Sequence, residues 1–374
     1  MSPSNPDGAG LHQAHYRAII FLLSVVAIAS GIALLHYGQD LLAPLAIAAL
    51  LYVLIAALLE RINRLELWGR AVPRWLASLV VLGLIGAATV FLANIIAGQI
   101  EALTSAAPRY LDRFKELSDQ LGKFLGPELM KAVNDAIAQA DLSQTVGRIV
   151  NRTSATVGAA SLVLVFLAFM LVDTGALKRK LPLLVSDQER LANVSAALNS
   201  MNVGVQNYMW IKTLVSLLTG VLSYVVMKVV GLDFAETWAI LIFLLNFIPT
   251  IGSILGTLIP AVAGLIQFPS IGPILILLGG ISAVQFVVGN IIEPTLSSRT
   301  LNLSPLAIIL ALSFWSAVWG IPGAFLSVPL TVCVAIICSH VSALRSFAIV
   351  LAGRVPPPEE AASDVKVMQE HGNS

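Results

Sequence analysis

The chain has 374 residues, 57% of them hydrophobic and 11% charged, with a mean hydropathy of +0.87 and a formal net charge of +1. Soluble domains carry about 25% charged residues, so the composition excludes a soluble globular protein, and no basic block points to a nucleic-acid partner. Uncharged apolar runs of the ~18 or more residues needed to cross hydrocarbon recur along the chain, which predicts an all-α polytopic membrane protein of about seven to eight spans in a lipid bilayer.

In chain order the candidate spans are 16–36, 41–59, 75–99, 156–173, 211–230, 237–267, 273–291 and 304–343. Arg17 precedes the first, and Ala27-Ile28-Ala29 resembles a signal-peptidase site. The uncharged stretch nevertheless runs on from Ala18 to Leu35, long enough to span and remain. Arg61, Arg64, Arg70 and Arg74 collect after the second span, and Lys178, Arg179, Lys180 and Arg190 after the fourth. The bias of Lys and Arg toward the cytoplasm puts both loops inside, with Arg345 and Arg354 of the tail. Both termini are then cytoplasmic, and the 36–40 turn and residues 100–155 are external. The resulting division is membrane helices in 1–99, an external arm over 100–155, a span in 156–174, a cytoplasmic amphipathic helix over 175–210, a membrane core over 211–345 and a disordered cytoplasmic tail over 346–374.

The 100–155 segment departs from membrane composition, with seven basic and seven acidic residues. Leu103, Ala107, Tyr110, Phe114, Leu117, Leu121 and Phe124 alternate steps of four and three, the spacing of a heptad seam. Gly126-Pro127 ends that helix, and Met130, Val133, Ile137 and Ala140 share a face of the next. The seam either closes the arm on itself or meets another subunit; in the second case Leu103, Tyr110, Phe114, Leu117, Leu121 and Phe124 form an oligomer contact. On the cytoplasmic side, Ser186-Asp187-Gln188-Glu189 reads as a capping box with Ser186 accepting from the Glu189 amide. Leu191, Val194, Leu198, Met201, Val205 and Tyr208 then form an apolar stripe running into the span at Ile211. The polar face is rich in Asn and Ser rather than Lys, which favours packing on another helix over lying on the membrane.

Two apolar segments carry helix breakers. "NFIPTIGSILGTLIP" (246–260) holds Pro249, Gly252, Gly256 and Pro260, and "WGIPGAFLSVP" (319–329) places Pro322 beside Gly323. Residues 237–248 make only about 18 Å of helix, too short to span. An unpaired backbone group in hydrocarbon costs several kcal/mol, so broken helices persist only inside protein or beside a water-filled path. Each segment is therefore a kinked span or a re-entrant hairpin, the first with its tip at 246–252. Paired interruptions point to a substrate site between them, which nominates Asn246, Pro249, Thr250, Gly252, Gln285, Asn290, Pro322 and Gly323 as its path. Gln285, Asn290 and Glu293 step by five and three toward Pro294, expected to end that helix. Glu293 is the only carboxylate between Glu236 and Glu359, and Arg299 the only cation between Lys228 and Arg345. An ionisable residue in or at the rim of a membrane domain is a functional candidate, so Glu293 and Arg299 are expected to act as a gate or coupling pair.

No phosphate-binding Gly-x-x-x-x-Gly-Lys-Ser/Thr loop and no His/Cys ligand cluster occur, so neither ATP hydrolysis by that route, nor a metal or cofactor, nor an enzyme is expected. Cys333 and Cys338 point about 140° apart on a helix, too far round for an intrahelical disulfide.

"NFIPTIGSILGTLIPAV", "VVGNIIEPTLSSRTLNLSP" and "WGIPGAFLSVPL" resemble signatures of the autoinducer-2 exporter family of bacterial membrane proteins, and the likeness extends over about residues 15–345. "NYMWIKTLVSLLTGV" is similar to the corresponding helix of members described as autoinducer-2 transporters, while other members are described as sodium(lithium)/proton antiporters. The resemblance implies a bacterial inner-membrane protein assembled as a homopentamer. The leading expectation is export of a small polar solute such as autoinducer-2, a five-carbon furanosyl diol-type compound, with Asn246, Thr250, Gln285 and Asn290 as hydroxyl partners. The alternatives are an antiporter with Glu293 as its ion-binding carboxylate, and a non-conducting scaffold whose external arm binds a partner.

Overall fold

The computed structural model describes residues 6–63, single positions between 79 and 98, and residues 158–173, 176–297, 302–341 and 344–353. The expected external arm, with its seam residues Leu103 to Phe124, lies outside the described residues, as does Arg299. Among the described residues every regular element is helical. Four helices are long and apolar enough to cross a membrane: Gln39–Ala56, Gln188–Val230, Ile271–Leu296 and Pro305–His340. Shorter apolar helices accompany them at Leu22–Tyr37, Gly158–Val172, Ala235–Leu245 and Ile251–Gln267.

Helix α1 (Pro6–Tyr37) and helix α2 (Gln39–Asn63) meet at Gly38 without a linker. Helix α3 (Gly158–Val172) packs on α2 through Ala48, Ile55, Leu167 and Leu171. A short helix α4 (Ala176–Leu184) precedes the longest element, α5 (Gln188–Val230). Its N-cap is Asp187, whose side chain accepts from the Glu189 amide at 3.0 Å. The carboxylate, one residue nearer the helix than Ser186, takes the capping role expected of the serine. At the other end Gly231 (φ 81°) caps α5 in the left-handed conformation that a glycine adopts without steric cost.

With 43 residues in one helix, α5 is about 65 Å long. It is inside out by the standards of a soluble helix. Lys212, Ser216, Thr219 and Ser223, spaced by four, three and four, are buried, while Leu214, Leu217, Val221 and Val225 are 47–54% exposed. A helix that hides its polar stripe and shows its leucines is built for an apolar surrounding.

The segment 235–267 is a helical hairpin rather than one kinked span. Helix α6 (Ala235–Leu245) and helix α7 (Ile251–Gln267) flank the turn 246–250. At its base the Asp233 amide donates to Gln267 Oε1 (2.7 Å) and Gln267 Nε2 donates to the Gly231 carbonyl (2.8 Å), which holds both ends together. The arms touch at glycines: a Cβ added to Gly252 would lie 1.9 Å from the Leu245 carbonyl oxygen, and one on Gly256 would lie 3.5 Å from Ile242. Helix α8 (Ile271–Val287) then runs back along α5 and passes through a π turn (Val288–Ile292) into the short helix α9 (Glu293–Ser297). Pro294 therefore does not end the helix. Its ring would clash with the carbonyl four residues earlier in an α-helix, and the preceding π turn displaces that carbonyl.

The last long element, α10 (Pro305–His340), is helical on both sides of Gly320, whose φ of 64° and ψ of −136° break it. It too folds back on itself. Trp315 Nε1 donates to Thr331 Oγ1 at 3.1 Å, whereas sixteen residues of straight helix would separate them by about 24 Å. A Cβ on Gly323 would lie 1.8 Å from the Trp315 carbonyl oxygen. At the base, the Ser304 amide bonds the Leu351 carbonyl of helix α11 (Arg345–Leu351).

The hairpins approach from opposite ends of α5 and meet. Gly204 of α5 faces Val332 and Ile336 of the second hairpin, and Gly220 faces Ala239 and Phe243 of the first. At the junction the rings of Phe247 and Phe325 lie 4.7 Å apart, and Ile248 packs with Leu312 and Ala324. The α1–α2 turn closes on the second tip: Trp319 Nε1 donates to the Leu35 carbonyl (2.8 Å), and the His36 ring nitrogen Nδ1 bonds the Val318 carbonyl (3.1 Å).

Candidate functional site

The polar stripe of α5 faces this junction. Lys212 Nζ donates to Glu293 Oε1 at 2.7 Å, with the lysine side chain 8% and the glutamate 28% exposed. One turn further along α5, Asn246 of the first hairpin tip donates through Nδ2 to Ser216 Oγ at 3.0 Å, both groups buried. Thr219 donates to the Val215 carbonyl of its own helix at 2.8 Å. Burying an ammonium without a partner is costly in a low dielectric, so the lysine and the glutamate define each other's place. The π turn brings Glu293 to α5: a π turn holds more than the 3.6 residues of an α turn, and the surplus rotates α9 relative to α8.

Glu293 thus has a partner that the spacing of charges did not reveal. Lys212 belongs to a helix 81 positions away, and its signal was the polar stripe Lys212-Ser216-Thr219-Ser223 on an apolar span. The other nominated residues divide. Asn246, Gly252, Gln285 and Gly323 are buried around the junction. Thr250 and Pro322 are exposed and Pro249 half-buried. Thr250 has a φ of 63°, an unusual value for a β-branched residue. Asn290 is exposed and donates to the Phe286 carbonyl at 3.1 Å within its own helix. Among the described residues no three His, Cys, Asp or Glu side chains gather as a metal group.

Two broken, oppositely directed helical elements meeting beside buried polar groups form the plan of a secondary transporter. The comparisons with known proteins agree. The sequence profile of the AI-2E family transporters matches residues 19–343, and the chain belongs to that family. It is 29% identical over 343 residues to the AI-2 transport protein TqsA of Escherichia coli (strain K12), covering 90% of this chain and 95% of that protein. It is 28% identical over 323 residues, 84% of this chain and 90% of the relative, to a Haemophilus influenzae protein named only as a candidate transport protein. A Borreliella burgdorferi protein named in the same way is 40% identical over 158 residues, 42% of this chain and 44% of its own. The chain is therefore a multi-pass membrane protein of a transporter family, as the resemblance implied.

Proposed function

We propose that this protein exports a small, uncharged polar solute of the autoinducer-2 type across a bacterial inner membrane, by facilitated or gradient-driven transport without ATP hydrolysis. The observation that carries this reading is the meeting of two opposed hairpin tips beside the buried stripe that holds Lys212–Glu293 and Ser216–Asn246. With the Arg- and Lys-rich loops inside, the first hairpin opens to the periplasm and the second to the cytoplasm. The tip contacts then separate the two sides. Homopentameric assembly, implied by the resemblance, belongs to the same reading.

The test is accumulation of labelled autoinducer-2 in everted membrane vesicles, with and without a protonophore, against vesicles lacking the protein. Protonophore-sensitive accumulation is the result expected of active export; equilibration regardless of the gradient marks a facilitator. Vesicles that take up no more than the control overturn the reading for this solute. Glu293→Gln is expected to abolish transport while the protein remains in the membrane, and Pro249→Ala to impair it.

One observation favours a second reading, sodium or lithium/proton antiport: the carboxylate of Glu293 is partly buried and held by an ammonium. A small cation binding that carboxylate would displace Lys212. Collapse of a preformed proton gradient by Na⁺ or Li⁺ in the same vesicles identifies this activity.

A further inference from the structure

A second polar place lies deeper in the same interface, away from the ion pair. Helices α5 and α8 run antiparallel, and two contacts fix their register. Glu293 meets Lys212, and a Cβ on Gly280 would lie 2.8 Å from Val226 Cγ1. From Gly280 to Glu293 is 13 residues and from Val226 back to Lys212 is 14, so the two helices keep step. Gln285, five residues beyond Gly280, is level with Val221, in the turn of α5 between Thr219 and Ser223. Gln285 is 9% and Ser223 0% exposed, and neither Gln285 Nε2 nor Ser223 Oγ has a hydrogen-bond partner.

Helix α7 completes the place. Gly256 faces the amide so closely that a Cβ there would lie 3.1 Å from Gln285 Nε2, with Ile242 of α6 at 3.5 Å on the other side. Four helices thus converge on two buried polar groups, and the residue opposite them has no side chain. Most buried polar groups in proteins are partnered. Two unpartnered ones at one level, a donor amide and a hydroxyl, match the donor and acceptor capacity of an alcohol. Asn246, Thr250 and Asn290 do not share this place: the first is bonded to Ser216, the second is exposed, and the third is exposed and bonded within its own helix.

We infer that Ser223 and Gln285, with Gly256 opposite, form a buried subsite that binds a hydroxyl group of an uncharged polyol-type solute inside the first hairpin. The inference rests on the transport reading and names where the solute is held. Gly256 sets its size, since any side chain there fills the space beside the amide.

The experiment is equilibrium dialysis of labelled autoinducer-2 with the purified full-length protein in detergent, run beside vesicle uptake and unliganded thermal unfolding. Ser223→Ala and Gln285→Met each remove a buried polar atom at nearly constant volume. Each is expected to weaken binding about tenfold or more while the unliganded Tm is unchanged or rises. Gly256→Ala is expected to weaken binding similarly. Wild-type affinity in both Ser223→Ala and Gln285→Met, with normal uptake by the wild type, overturns the subsite and leaves the transport reading standing. A lowered Tm in both, parallel to the loss of binding, assigns them a structural role and likewise overturns it. Neither uptake nor binding by the wild type removes the transport reading for this solute, and the subsite with it.

Discussion

The two hairpins reverse a helix in different ways. The first takes five residues, 246–250, anchors its tip to α5 through Asn246 and Ser216, and leaves Thr250 exposed at a φ of 63°. The second turns at Gly320, starts its return arm with Pro322 where a missing amide is harmless, and ties its arms with an indole bond from Trp315 to Thr331. Aromatic packing and two bonds to the α1–α2 turn hold the second tip, whereas one amide–hydroxyl bond holds the first. The contrast assigns the frame to the second hairpin and the adjustable side to the first, which is also the side that carries Gln285's neighbour Gly256.

Substitutions sharpen this contrast, beginning with the largest expected effect. Lys212→Met strands Glu293 and is expected to cost about 3–5 kcal/mol, most of it recovered when Glu293→Gln is added. A double-mutant cycle on thermal unfolding in detergent measures it, and full additivity would show that the pair contributes nothing. Gly323→Ala and Gly252→Ala push a methyl against backbone within the hairpin turns and are each expected to cost about 3 kcal/mol or more. Yield and Tm report this, and a tolerant Gly252 beside an intolerant Gly323 would confirm the first hairpin as the looser. Asn246→Ala is expected to lose about 1–3 kcal/mol, because Ser216 is left buried and unpaired. Thr250→Gly relieves the strained φ at an exposed position and is expected to raise stability by up to about 1 kcal/mol. If Tm falls instead, the Thr250 side chain holds the tip and the contrast weakens.

Much of this architecture was legible in the sequence because lipid leaves few options. Apolar runs gave the spans, and Pro with Gly inside them marked both reversals. The choice between kink and hairpin was not legible, since it depends on contacts such as Gln267 with Gly231 that join residues 36 positions apart. Glu293 stood out as an isolated carboxylate. Its partner did not, because counting charges along the chain favours neighbours such as Arg299 over a lysine at the edge of an earlier span. Asn290 looked equivalent to Gln285 by composition, yet the π turn gives the two opposite exposures. Ser223 and Gly256 are ordinary residues for a membrane helix, and only the convergence of four helices makes them special.

That π turn has a wider consequence. A tight bulge of this kind is one residue away from a plain α-helix, and each residue added or removed turns everything beyond it by about 100°. The contact between Lys212 and Glu293 is therefore a matter of counting as much as of chemistry. A chain of the same composition with one residue fewer in 288–292 would keep its glutamate and its lysine, and point one of them at the lipid.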